Sequence, residues 1–422
     1  MYTALFAIII ANIVCAFDES MFYEDMSFSS LTNKNIFNNL STAIVTYVEL
    51  KDVFSLKKPL YIKQLTNSRN KVFSNMSLKI LTVLLANGAG KGLTGNELMS
   101  FWNITDKISL NNKYLSEFTF LNNIKNIELH VENAIYVQKS VDLTADFSSI
   151  CINILHCSIS KVDFRDHIEV AETINSWVQK TTNNEILHVL SPVNIDKDTK
   201  IMLVNTAYLN IGLPNLKGEI VQRKFHVSPS ESHFVPTIKF EKSTFSYFEI
   251  PHWNTKVIEI LFLNNKITMF IFLPNKEMVP GNLYYLNKKF NFKEFKSIRD
   301  TYSCEQVMEL YLPKFTIQYT QDMTHLFRWN GIITMFKDKA DFTHLSKIPL
   351  KVSNIVQKVS VRINEEDSII PEVVNRRGRK SVGLPQELVV DRPFMYVIET
   401  NGKIGFIGSV RKPDFLFMKD EL

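Results

Sequence analysis

Four stretches rich in β-branched and aromatic residues crowd the C-terminal half of the chain: VMELYLPKFTI from Val307, LKVSNIVQKVSVRIN from Leu350, RPFMYVIET from Arg392 and KIGFIGSV from Lys403. Side chains of this kind favour a pleated, half-buried surface, and so many strands with short breaks between them require extensive, largely antiparallel sheet. Further strands are predicted at IELHVENAIYVQ from Ile127, KIMLVNTAYL from Lys200, VIEILFL from Val257 and ITMFIFLP from Ile267. Apolar residues at helical spacing run instead through NIFNNLSTAIVTYVEL from Asn35 and SLKILTVLLANGA from Ser77. No internal repeat is present, and the class is α+β. The 422 residues are 45% hydrophobic and 22% charged, enough for a large core. The 13 Gly and 14 Pro are dispersed without a linker-like cluster, so one large domain is expected.

The two ends read as addresses. Residues 1–16, MYTALFAIIIANIVCA, form an apolar run too short to span a bilayer and ending in small residues that suit signal peptidase, so a signal peptide cleaved after Ala16 is expected. The last four residues, Lys419, Asp420, Glu421 and Leu422, spell KDEL, the retrieval address of the endoplasmic reticulum, which makes the KDEL receptor an expected partner. The expected location is therefore the secretory pathway, in the endoplasmic reticulum lumen or outside the cell, and residues 414–422 are read as a tail. No other apolar stretch approaches the roughly 20 residues of a membrane helix, and none is expected to span. A formal charge of +5, from 48 basic and 43 acidic residues, is too small for a whole-protein nucleic-acid footprint.

Beyond the signal, Cys151, Cys157 and Cys304 allow one disulfide at most. Cys151 and Cys157 are read on one helix, DLTADFSSICINILHC, where their spacing gives about 9 Å of rise and different faces, so buried inert thiols are expected rather than a local bridge. Sequons stand at Asn39, Asn75 and Asn103. GAGKGLTG, from Gly88, lacks the phosphate-loop spacing and follows a helix instead of a strand, so it reads as a helix stop and turn. Searches for a nucleophile elbow, a zinc motif, paired catalytic carboxylates or a dinucleotide fingerprint find none, and no enzyme, metal or cofactor is expected.

Six motifs then occur in a fixed order. Asn70-Lys71-Val72-Phe73-Ser74 with Met76-Ser77 looks like NVFFSPLS, with Asn75 in place of the usual Pro. Asn133-Ala134-Ile135-Tyr136-Val137 looks like NALYV, and Ile174-Asn175-Ser176-Trp177-Val178 with Thr182 and Ile186 looks like INxWVxxxTxxxI. Asn205-Thr206-Ala207-Tyr208-Leu209 is similar to NAIYF, Leu312-Pro313-Lys314-Phe315 is LPKF, and Asp391-Arg392-Pro393-Phe394 with Gly405-Phe406-Ile407-Gly408-Ser409-Val410 is similar to the closing DHPFxFxI and FMGRV strands. Together they resemble the serpin family over nearly the whole of residues 17–413. The resemblance implies three β-sheets, eight or nine helices, a monomer, and an exposed reactive loop at about residues 364–393. In inhibitory members a protease cleaves that loop, which inserts as a central strand of the main sheet and traps the acyl-enzyme.

Insertion constrains the hinge that begins the loop. Asn364, Glu365 and Glu366 match the family's NEE, but Asp367 replaces a Gly, Ser368 is followed by Ile369 and Ile370 where an Ala run is usual, and Pro371 lacks the N–H of a central ladder. Alternation with Ser368 and Ile370 inward also sends Glu372 and Arg376 inward, where an unpaired charge costs several kcal/mol. The resemblance places Ser74, Ser77 and Asn205 at the family's polar shutter positions, with Gln357 in place of His; plain buried polar packing explains them equally. After Asn205 the chain reads NIGLPN where the family carries a Trp.

Arg376, Arg377, Gly378, Arg379 and Lys380, followed by Ser381 and Val382, form the second half of the loop, and family spacing puts the scissile bond near Lys380 to Val382. Arg376 and Arg379 stand three apart, which suits proprotein convertases, and any of the four basic residues suits a trypsin-like protease. Two functions are therefore carried forward. The hinge favours a non-inhibitory or weakly inhibitory member that acts as a binding or chaperone-like module for a secretory client, or as a protease substrate. The basic loop favours an inhibitor of convertase-like or trypsin-like serine endopeptidases.

Overall fold

The computed structural model describes residues 70–122, 128–214, 219–262, 267–276, 282–368, 386–400 and 402–413. The signal peptide at 1–16, the helix predicted from Asn35, the Asn39 sequon, Ile370, Pro371, Arg376, Arg377, Arg379, Lys380, Ser381 and the retrieval residues Lys419 to Leu422 lie outside the described residues.

Fourteen strands of the described residues form two hydrogen-bonded sheets. The larger sheet contains β1 (Lys71–Ser74), β5 (Glu219–His226), β6 (Ser232–Ile250), β7 (Thr255–Phe262), β8 (Ile267–Pro274), β9 (Cys304–Pro313), β12 (Glu387–Val389), β13 (Phe394–Thr400) and β14 (Lys403–Val410). Its path runs β1-β14-β13-β8-β7-β6-β9-β12, with β5 on β6. Long strand β6 joins two of the three expected sheets. Its first half pairs with β5 and its second half with β7, and its register on β9 slips between Phe240 and Ser243, which marks the joint. The smaller sheet runs β10 (Phe315–Asp322), β11 (Asn354–Ser368), β4 (Ile201–Pro214), β2 (Glu128–Gln138) and β3 (Cys157–Val162) in that order.

The predicted strand VMELYLPKFTI is two strands in two sheets. Pro313 has no N–H to continue the ladder, and the following Lys314 N–H donates to the Pro236 carbonyl at 2.9 Å, so β9 ends there and β10 begins at Phe315. The helix read over DLTADFSSICINILHC is likewise shorter. It runs only from Ala145 to Asn153, capped by the Thr144 hydroxyl, and His156 turns the chain at φ 49° into β3. Cys157 is therefore the first residue of a strand, not a helical neighbour of Cys151.

Eight α-helices occur among the described residues. Helix α1 (Asn75–Gly88) is buried from Met76 to Gly88, its polar Ser77, Lys79, Thr82 and Asn87 included. It stops where the sequence predicts a stop. The Gly90 N–H donates to the Asp341 carbonyl at 3.0 Å, and a Cβ on Gly90 would stand 2.1 Å from the Asp341 carboxylate, so the first turn of GAGKG is a close backbone contact. Helices α2 (Leu93–Ser100), α3 (Lys107–Asn122), α4 (Ala145–Asn153), α5 (His167–Thr181), α6 (Asn282–Lys289), α7 (Phe292–Tyr302) and α8 (Thr324–Trp329) complete the set.

Alternation puts the smaller sheet between two apolar layers. Ile135, Val137, Leu203, Ala207, Val359 and Ile317 face the main core, whereas Ala134, Tyr136, Met202, Val204 and Val356 face α5 (His167–Thr181). Helix α5 lays Val170, Ala171, Ile174 and Val178 on that second face, a stripe at helical spacing.

One ion pair sits inside the larger sheet's helical cover. The Glu259 side chain on β7 is 1% exposed and that of Arg299 on α7 is 14% exposed; Arg299 Nε donates to Glu259 Oε2 at 3.2 Å, and the guanidinium lies 4.9 Å from the Phe270 ring centre. Arg299→Met leaves a buried carboxylate without its guanidinium and is expected to lower stability by about 3–5 kcal/mol, read by chemical denaturation.

Candidate functional site

The smaller sheet carries an amide row at right angles to its strands. Asn133 on β2 is register partner to Asn205 on β4, Asn205 to Gln357 on β11, and Gln357 to Gln321 on β10. The side chains connect head to tail. Gln321 Nε2 donates to Gln357 Oε1 at 2.6 Å, Gln357 Nε2 to Asn205 Oδ1 at 3.2 Å, and Asn205 Nδ2 to Asn133 Oδ1 at 2.9 Å and to the Glu132 carbonyl at 3.3 Å. Asn133, Asn205 and Gln357 are buried, and buried amides of this kind are held at full strength because water does not compete for them.

This row spans the seam where insertion would occur. Strands β4 and β11 are parallel and paired directly from Met202↔Asn354 to Gly212↔Asn364, so the sheet is closed. Gln357, which stands where the resemblance places a His, makes a side-chain link across that seam with Asn205. Four amides carry no titrating group, so the row's bonds are indifferent to pH across the range in which imidazole changes charge.

Toward the loop, the seam has a second set of ties. Asn364 Nδ2 donates to Asn210 Oδ1 at 3.2 Å, again from β11 to β4. Arg362 on β11 lies 3.5 Å from Glu185, whose carbonyl accepts from Gln318 Nε2 of β10 at 3.0 Å, so the segment after α5 is stitched over two strands. The strand continues through Glu365, Glu366, Asp367 and Ser368, with a register shift after Asn364 before Ser368 meets Pro214. These first hinge residues therefore extend alongside the end of β4.

Ser74 and Ser77 form their own pair at the head of α1. Ser77 N–H and Oγ donate to Ser74 Oγ at 3.2 and 2.9 Å, which makes Ser74 the helix cap; both serines are buried. The four residues expected at shutter positions thus belong to two devices, a capped helix end and a cross-sheet row. Local sequence does not find Asn133, which sits within a predicted strand, or Gln321, which lies beyond the predicted strand that ends at Ile317; the signal that finds them is the pairing register, which brings four amides opposite one another.

The sequons part company. Asn103 is exposed and takes the left-handed φ of 53°, open to a glycan. Asn75 is the half-buried first residue of α1; its Nδ2 donates to the Ile404 carbonyl at 3.3 Å and its Oδ1 is buried. Among the described residues no cluster of His, Cys, Asp and Glu is placed to hold a metal, and no helix is long and apolar enough to cross a membrane.

The smaller sheet is thus five strands in the order β10-β11-β4-β2-β3, with a directly paired parallel seam between β4 and β11. A profile of the family described as serpin, serine protease inhibitor, matches residues 53–413, and the chain belongs to the serpin family. Alaserpin of Manduca sexta is 30% identical over 297 residues, covering 69% of this chain and 74% of that protein. Antitrypsin of Bombyx mori is 26% identical, covering 76% of this chain and 82% of its own, and neuroserpin of Homo sapiens is 25% identical, covering 92% and 97%. Among solved structures, that of Serpin48, described as a highly specific serpin of the insect Tenebrio molitor, superposes with a TM-score of 0.72 at 25% identity over 85% of this chain and 96% of that one.

Gln357→Ala removes the side-chain link across the seam and leaves Asn205 Oδ1 and Gln321 Nε2 without that partner. Stability is expected to fall by about 1–3 kcal/mol, with Gln357→His recovering part of the loss only where the imidazole is neutral. Urea denaturation of both variants at two pH values checks this.

Proposed function

We propose that this serpin presents Arg376 to Lys380 as bait to a serine endopeptidase that cuts after basic residues, trypsin-like or convertase-like, and that its hinge makes it a weak trap and a good substrate. The observation that carries the reading is the direct parallel pairing of β4 with β11. A segment that follows β11 and turns back into the seam would run antiparallel to both strands, so one parallel ladder is exchanged for two antiparallel ladders, each better aligned per residue than the first. That exchange is the driving force available once the loop is cut.

The hinge opposes it. Pro371 would leave one ladder position empty, and Glu372 and Arg376 would turn toward the apolar layer, so entry past the first hinge residues is slow relative to hydrolysis of the acyl-enzyme. Relatives named antitrypsin and antichymotrypsin support the protease-directed side of the reading. Pro371 also favours a second reading, in which the protein does not inhibit and instead binds a client in the secretory pathway. In either case the KDEL residues Lys419 to Leu422 and the sequon at Asn103 support placement along that pathway, and the protein acts without catalysis or cofactor.

Incubation with trypsin and with a proprotein convertase, followed by denaturing gel electrophoresis and mapping of the new N-terminus, tests both parts. The expected result is rapid cleavage between Arg376 and Ser381 with little covalent complex. Stoichiometric complex stable in SDS would overturn the hinge argument, and first cleavage elsewhere by both enzymes would overturn the bait.

A further inference from the structure

The amide row ends at a cysteine. Cys157, first residue of β3, is the register partner of Asn133, so it stands at the edge of the same row that crosses β2, β4, β11 and β10. The chain reaches it by folding back on α4: the N–H groups of Ile154 and Leu155 both donate to the Ile150 carbonyl, at 3.0 and 3.1 Å, and His156 completes the reversal at φ 49°. This reversal brings the end of α4 against the start of β3. Cys151 Sγ points at the Cys157 carbonyl, 3.7 Å away, and both residues are buried, at 0% and 2% exposure.

Two thiols side by side differ chemically from two thiols on opposite helix faces. A hydrogen bond between the two thiols, and then burial, hold the Cys157 thiol well above its ordinary range, so Cys157 is protonated and unreactive while α4 is intact. Yet the cover is thin. Ile152, Asn153 and His156, the residues around the reversal, are exposed, and fraying of the last turn of α4 opens the pair to solvent. Cys304 does not compete, since it begins β9 in the other sheet, where its thiol donates to the Tyr247 carbonyl at 3.2 Å.

We propose that Cys151 and Cys157 are an oxidative modification site that closes to an intramolecular disulfide, with a small-molecule disulfide such as oxidised glutathione as the oxidant. One thiolate attacks the glutathione disulfide and expels one glutathione thiolate, leaving a mixed disulfide; the second thiolate attacks the protein sulfur of that bond and expels the other. The protein loses two protons and two electrons, and one glutathione disulfide becomes two glutathione thiols. The product pins the edge strand of the smaller sheet to α4 at the end of the amide row. The inference rests on the α4–β3 reversal and is independent of the protease reading.

The tryptic peptide of residues 140–161 contains both cysteines and no internal Lys or Arg, so its mass reads the bond directly. The full chain is equilibrated over a series of reduced-to-oxidised glutathione ratios, denatured with an alkylating agent, digested and weighed. The expected result is an unalkylated peptide lighter by two hydrogens that grows with the oxidised fraction, unchanged in Cys304→Ser and absent in Cys151→Ser. A doubly alkylated peptide at every ratio, glutathione adducts alone, or a bond to Cys304 or between chains would overturn the proposal.

Discussion

Strands β4 and β11 lie hydrogen-bonded in parallel through the middle of the smaller sheet, and every other feature of the candidate site is arranged around that ladder. Parallel pairing brings Asn205 and Gln357 opposite each other, and their neighbours on β2 and β10 extend the contact into a head-to-tail chain of amides. A buried chain of this kind resists piecemeal opening, because breaking one link strands a donor on one side and an acceptor on the other. The Asn364–Asn210 bond and the Arg362–Glu185 contact repeat the tie nearer the loop. The seam is consequently closed at its centre and at its outlet.

Much of this was legible before any coordinates. Density of β-branched and aromatic residues identified β2, β7, β8, β13 and β14 within a residue or two of their observed bounds and β4 at its start, but ended β4 at Leu209 where the strand continues to Pro214. The stop at Gly88 was also readable, since it depends on local chemistry. What escaped was non-local. The break at Pro313 looked like one strand because the apolar pattern carries on from one sheet into the next. The end of α4 looked like one long helix because Ile154 and Leu155 keep a helical period, and only His156 in a left-handed conformation redirects the chain. Asn133 and Gln321 have no local signal at all; their role exists only through register.

The hinge shows how two levels of the same chain disagree. The fold supplies a directly paired parallel seam, and the chain that leaves it on β11 stays extended through Ser368. Beyond it, the proposed weak trapping rests on Pro371 and on the charges of Glu372 and Arg376, which would conflict with the environment an inserted strand meets. Loop and hinge therefore pull in different directions, toward basic-specific proteases on one hand and away from full insertion on the other. An uncharged amide in place of the family's imidazole adds to this a seam whose closure does not change with pH in the range where His titrates.

Thermal melting of the intact chain and of the chain cleaved between Arg376 and Ser381, in the same buffer, tests the balance between seam and hinge most directly. If the hinge stalls entry, the cleaved protein melts within a few degrees of the intact one, a shift equivalent to less than about 2 kcal/mol. A rise of some tens of degrees on cleavage would mean that the strand enters in full, and would contradict the account.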